Sequence, residues 1–181
     1  NKTLNWMKFL LINDNIMRGL RVPSFYRKML KDKIDLLLLD CFDQRTDLFL
    51  IDFSISENNE IKIKIDGDNG VKVEDCMFIS RAIEGNIDRD EIDFSLEVAS
   101  CGASSPLISA RQYIKHFGRT ISVRTSDDNY EGKLISSTDK SIHLVWKERQ
   151  PKPIGKGKIT VEKSIDIDFN QIKEAKVKVK F

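Results

Sequence analysis

Apolar residues in this chain keep two different rhythms, and the change between them falls at residues 100–107. Before that stretch, helical spacing and strand alternation take turns. After it, only short alternating runs remain. Such a chain cannot bury its apolar faces in one uniform stack, so two small modules are expected. A length of 181 residues allows one or two domains.

In the first part, Leu30, Ile34, Leu37, Leu38 and Cys41 recur at helical spacing, which predicts a helix from Met29 to about Phe42. Asp47–Ile55 reads as a strand with Phe49, Ile51, Phe53 and Ile55 on one face. Ser56–Asn59 is turn material, and Ile61, Ile63 and Ile65 alternate with Lys62 and Lys64 as a half-buried strand. Asp66-Gly67-Asp68-Asn69-Gly70 then breaks the sheet. A second helix follows, with Val73, Cys76, Ile79, Ile83 and Ile87 inward and Glu74 and Asp75 at its positive end. Phe94, Leu96 and Val98 give a third strand. The expected order is α-β-β-α-β, with both helices on one side of a small mixed sheet.

Ser100, Cys101, Gly102, Ser105 and Pro106 have the small, turn-forming character of an interdomain joint, with the linker at 101–107. A short helical piece over Ser109–Phe117 precedes five short strands. These are centred on Ile121/Val123, Leu134/Ile135, Ile142/Trp146, Ile159/Ile167 and Val177/Phe181, with a Pro/Gly/Lys loop at Gln150–Lys158. The fold class is therefore α+β. An N-terminal α/β domain at 29–100 is followed by an all-β, SH3-like or Sm-like small barrel at 108–181.

Residues 1–28 are expected to be an extension outside the fold, with the natural start at Met29. Trp6–Ile12 is apolar but interrupted by Lys8 and followed by no small-residue cleavage site, so it does not read as a secretory leader. No apolar run reaches the roughly 18–20 residues that a membrane helix needs. Cys41, Cys76 and Cys101 are scattered, which argues against a disulfide framework and for a reducing, cytoplasmic setting.

The net charge of +2 hides +5 over residues 1–28, −10 over 29–100 and +7 over 101–181. An acidic middle beside a basic end suits a ribonucleoprotein surface, which offers polycation and polyanion together. Arg111, Lys115, Arg119, Lys133, Lys147, Arg149, Lys152, Lys156 and Lys158 are the candidate contacts to RNA phosphates.

Chemistry-bearing motifs are weak. Asp66–Gly70 resembles the start of a calcium loop, but its fifth position is Gly70 and its twelfth is Met77. Gly155-Lys156-Gly157-Lys158 lacks the spacing and ending of a P-loop. No C-x-x-C pair favours zinc. Ser100 and Ser105 lack a G-x-S-x-G setting, and only His116 and His143 could serve a triad. No catalysis, cofactor or metal is expected. Sm-type RNA readers place an Asn near the Asp139 position and an Arg-Gly in a later loop; both are missing here, so backbone contact is expected over base reading.

From Met29 onward the chain resembles the bacterial ribosome maturation factor family RimP, in a Bacteroidetes-like variant. Asp66 with Gly70-Val71, Glu74-Asp75-Cys76, Ile79 to Glu84 and Ile87-Asp88 carry part of the match. Phe94-Ser95-Leu96-Glu97-Val98-Ala99-Ser100 running into Gly102 and Pro106-Leu107 is its most specific segment, followed by Gln112-Tyr113 and Gly118-Arg119. Where the family usually has Ser-Pro-Gly and then Leu-Asp-Arg-Pro-Leu, Cys101 and Ala103-Ser104-Ser105 stand instead.

The resemblance implies an α/β domain followed by an SH3-like barrel. It also implies a non-enzymatic factor that binds the immature 30S subunit and aids late 16S rRNA folding and ribosomal-protein incorporation; a monomer with no membrane contact is expected. The family's barrel is associated with a small-subunit protein near the decoding region, whereas charge alone would dock the acidic domain on such a protein. A free-standing RNA-binding regulator of the Sm/SH3-like type is the alternative.

Overall fold

The computed structural model describes residues 22–89, 92–152 and 157–179. Helix α1 (Val22–Gln44) begins before the expected Met29. Pro23 occupies the first turn, where a backbone N–H has no helical partner to lose, so a proline that reads as a break in sequence is tolerated there. The expected 1–28 extension therefore overlaps the helix at 22–28, and residues 1–21 lie outside the described residues.

Strands β1 (Leu48–Ile55) and β2 (Glu60–Gly67) form an antiparallel pair, helix α2 spans Val73–Glu84, and β3 (Ser95–Ser100) lies parallel to β2. The sheet order is β1-β2-β3. Leu30, Ile34, Leu38 and Cys41 of α1, Ile79 and Ile83 of α2, and Ile61, Ile63 and Ile65 of β2 share one buried cluster. Both helices thus cover the same sheet face. Asp75, at the third position of α2, accepts a 2.8 Å hydrogen bond from the Lys72 N–H and so ties down the start of the helix.

Strand β1 departs from the expected alternation. Its register slips between Leu50 and Asp52, so that Leu48 opposes Gly67, Leu50 opposes Ile65 and Phe53 opposes Ile63. Phe49 instead opposes Asp66, and residues directly opposite share a face. Phe49 therefore leaves the helix-covered side on which the period-two reading put it. A bulge adds one residue and reverses every later side chain, and periodicity alone cannot reveal it.

Helix α3 (Ala110–Ile114) leads into β4 (Thr120–Arg124), β5 (Asn129–Ser137), β6 (Ser141–Pro151), β7 (Lys158–Asp168) and β8 (Glu174–Val177). These five strands pair in the order β7-β6-β5-β4-β8, and among the described residues no pairing joins β7 to β8. Tyr113, Ile121, Val123, Leu134, Ile142, Leu144, Ile167, Ala175 and Val177 form their own core, separate from the first. The α+β class holds, with two sheets and two cores.

The expected loop at Gln150–Lys158 is shorter than foreseen. Strand pairing continues to Pro151 opposite Lys158, and residues 153–156 lie outside the described residues. Strand β5 pairs with β6 only as far as Lys133 opposite Val145. From Trp146 onward β6 bonds to β7 alone, so residues 146–151 and 158–163 form a two-stranded ribbon beyond the sheet.

Candidate nucleic-acid interface

The joint is pinned at both ends. Ser100 ends β3, Cys101 N–H donates to the Ile65 carbonyl at 3.2 Å, and Ser105 N–H closes a turn onto Gly102 at 2.9 Å. Past the exposed Pro106, Leu107 N–H donates to the Ala175 carbonyl at 2.8 Å and so joins β8. The crossing from one sheet to the other is thus hydrogen-bonded at Cys101, Ser105 and Leu107.

Two of the expected phosphate contacts, Arg111 and Lys115, are engaged inside the protein. Arg111 grips both carboxylate oxygens of Asp68, at 2.7 and 2.6 Å, and donates to the Thr46 carbonyl at 2.6 Å. Its guanidinium lies 4.6 Å above the Phe49 ring, the side chain that the bulge turned to this face. Lys115 forms an ion pair with Asp66 and donates to the Gly67 carbonyl at 3.3 Å.

Between them Gln112 is buried and donates through Nε2 to Asp66 Oδ2 at 2.7 Å. Its Oε1 accepts from Ile108 N–H at 2.8 Å and Ser109 N–H at 3.1 Å, which fixes the start of α3. One face of α3 is thus a polar latch onto the end of β2.

Electrostatics follow the geometry. Burial pushes the Asp66 carboxyl up, but Lys115, Gln112 and the Gly67 N–H together outweigh it and hold the group below its ordinary value. Arg111 lowers Asp68, and Asp68 raises Arg111 in return. His116 is pushed down by burial, with Lys115 and Arg119 adding repulsion, and its Nδ1 is shielded without a hydrogen-bond partner. A cleft of about 480 Å³ opens beside the latch, lined by Cys101, Gly102, Lys115, His116 and Arg119 among others. Burial raises the Cys101 thiol, which disfavours its thiolate form.

The other expected cations are placed differently. Arg119, Lys133, Lys147, Arg149, Lys152 and Lys158 are exposed, and none of the ion pairs among the described residues engages them. Register brings four of them together. Lys133 opposes Val145, whose face of β6 continues through Lys147 and Arg149 to Pro151, and Pro151 opposes Lys158. Lys133, Lys147, Arg149 and Lys158 therefore share one outer face that runs from the sheet onto the ribbon. Glu162, opposite Lys147, and Glu131, two residues before Lys133 and paired with Lys178, are carboxylates on the same face. Arg119 stands apart from this face, its carbonyl accepting from Leu134 N–H at 2.9 Å and its side chain lining the cleft beside the latch, while Lys156 lies outside the described residues.

The opposite ribbon face carries Trp146, Ile159 and Val161, with an ion pair between Glu148 and Lys163. Trp146 approaches Tyr130 with ring centroids 6.2 Å apart. Such a surface can hold a polyanion on one side by charge alone, without base-reading pockets. Among the described residues no cluster of three or more His, Cys, Asp or Glu could bind a metal, and no helix is long and apolar enough to cross a membrane.

Sequence reasoning missed Asp66, Asp68 and Gln112 as partners. The available signal was a pair of aspartates around a glycine at a strand end, set against Arg111, Gln112 and Lys115 at helical spacing.

The family model described as RimP N-terminal domain matches residues 41–104. The ribosome maturation factor RimP of Christiangramia forsetii is 50% identical over 153 residues, covering 84% of this chain and 100% of that protein. Its counterpart in Flavobacterium psychrophilum is 46% identical over 151 residues, covering 83% and 98% respectively. The Porphyromonas gingivalis protein of the same name is 35% identical over 129 residues, covering 70% and 84%.

Proposed function

We propose, from the premise that the chain belongs to the RimP family of ribosome maturation factors, that it binds the immature small (30S) subunit through the cationic outer face of its second module. Ribosome maturation is the role its family membership carries. The single observation that supports the docking mode is the strand register that gathers Lys133, Lys147, Arg149 and Lys158 onto one face, free of ion pairs. Lys152 and Arg119 are further exposed cations of the same module.

On this reading the open five-stranded sheet is the SH3-like unit of the family. The face would hold 16S rRNA phosphates during late folding, while a small-subunit protein near the decoding region supplies a second contact. The factor would act as a cytoplasmic monomer without catalysis or cofactor. Release follows when the finished subunit offers fewer favourable contacts than its precursor, because only differential affinity moves such an equilibrium. Arg111 and Lys115, committed to Asp68 and Asp66, would hold the two modules at a fixed angle instead of touching RNA.

Gradient sedimentation of the purified chain with immature small subunits, mature small subunits and full ribosomes tests this. Co-sedimentation with the immature particle and not with full ribosomes is expected. Equal binding to any structured RNA would overturn the reading and favour a free-standing RNA regulator.

A further inference from the structure

Helix α1 buries Leu30, Ile34, Leu38 and Cys41 against the sheet. At 100° per residue, Met29, Leu36 and Leu39 point the opposite way. They are indeed exposed, Leu36 by 67% and Leu39 by 61%. Large aliphatic side chains on the outward line of a helix have no role in the core beneath. Asp32, Asp40 and Asp43 fall on that same outward side, with Lys28 as a cation at its N-terminal end, and all four are exposed.

The neighbouring helix repeats the pattern. Arg45, just past α1, bonds Asp75 in the first turn of α2 at 2.9 Å, which sets the end of one helix beside the start of the other. Near that end α2 exposes Val73 by 73% and Met77 by 43%, beside the exposed Glu74. The helical layer therefore offers aliphatic anchors among carboxylates, on a module whose residues 29–100 carry −10.

We infer that the outer face of α1, built on Met29, Leu36 and Leu39 and ringed by Asp32, Asp40 and Asp43, docks a lysine- and arginine-rich polypeptide segment bearing aliphatic side chains. Charge selects this occupant. RNA phosphates meet repulsion from the aspartates, and a second copy would set the same carboxylates against each other. Aliphatic anchors seated on a helix, with charges around them, are the mirror of helix-in-groove recognition. That the segment belongs to a basic small-subunit protein rests on the reading proposed above. The protein would then straddle an RNA–protein boundary, with cations toward RNA at one end and this acidic helix toward protein at the other.

Amide chemical shifts of the full-length chain test the face directly, titrated with a synthetic 16-residue peptide of leucine and lysine. Shifts over Met29–Gln44 are expected. A lysine/serine peptide of equal charge, or the double variant Leu36→Ser/Leu39→Ser, should weaken binding about tenfold, since tenfold corresponds to loss of about 1.4 kcal/mol of apolar contact. The proposal is overturned if the shifts map elsewhere or a leucine/glutamate peptide binds equally well. It is equally overturned if the unbound chain self-associates through this helix, or if a photo-crosslinker at position 36 reacts with residues 1–21 of the same chain. The same double variant is also sedimented with immature subunits, where weaker retention than the parent is expected and equal retention overturns the assignment to a ribosomal protein. Failure of the parent itself to sediment would sink the ribosomal reading and leave the peptide result standing.

Discussion

The Gln112 amide and the Asp66 carboxylate meet at 2.7 Å with both side chains buried, although they belong to modules with separate cores. Among the described residues the two buried apolar clusters are separate, and this contact with its neighbours Lys115 and Arg111 joins the modules. Polar contacts need exact partners in a way that apolar ones do not, because each lost partner leaves a buried group unsatisfied.

Replacing Asp66 by Ala strands Lys115, which is only 18% exposed, together with the Gln112 amide. A loss of about 2–4 kcal/mol is expected, as for a buried pair broken from one side. Urea unfolding with amide exchange read separately at β2 and β4 should show the two modules losing their common midpoint. A single unchanged transition would contradict the latch.

Arg111→Ala removes an ion pair in which both partners are more than a third exposed, so about 1 kcal/mol is at stake in folding. Its effect on RNA affinity distinguishes latch from contact. The slope of log K against log salt should stay as in the parent, because Arg111 is already neutralised by Asp68. Filter binding at several salt concentrations measures this.

Lys147→Ala, Arg149→Ala and Lys158→Ala should each reduce that slope by about 1 and weaken all RNA sequences alike. Thermal stability should stay within about 0.5 kcal/mol, since the three are exposed and free of ion pairs. Sequence-selective losses would point to base reading instead.

Acid should weaken the docked form in two stages. His116 is held below its ordinary value by burial, so the unfolded chain takes up its proton first and stability falls as pH drops below about 6.5. Asp66, Asp68 and Asp75 are held below the ordinary carboxylate range, so their contribution is present above about pH 4 and lost as pH falls through their folded values. Melting temperatures from pH 8 to 3 should show both stages, and His116→Gln should flatten only the upper one.

Gly67→Ala tests the turn that carries the two aspartates. A Cβ there would stand 2.6 Å from the Gly70 carbonyl oxygen and 3.2 Å from Leu48 Cδ2. The backbone contact cannot yield by a rotamer change, so destabilisation of about 1–3 kcal/mol is expected. Asp68 should be displaced from Arg111 as well, visible as added exchange at α3.

Helical spacing from Leu30 to Cys41 and alternation over Ile61–Ile65 were enough to order the elements of the first sheet, since burial of one face imposes a period on local sequence. The family too was legible, in the segment from Phe94 to Leu107. What tertiary structure decided were relations between distant residues. A bulge at Leu50–Asp52 sent Phe49 to the outer face, where it meets Arg111 across the joint. Asp66 and Asp68 then claimed two cations that sequence alone would assign to RNA, while register collected Lys133, Lys147, Arg149 and Lys158 on one face. Local sequence fixes a residue's periodicity and charge, but which opposite charge reaches it first depends on three-dimensional distance, and that is set only when the two modules dock.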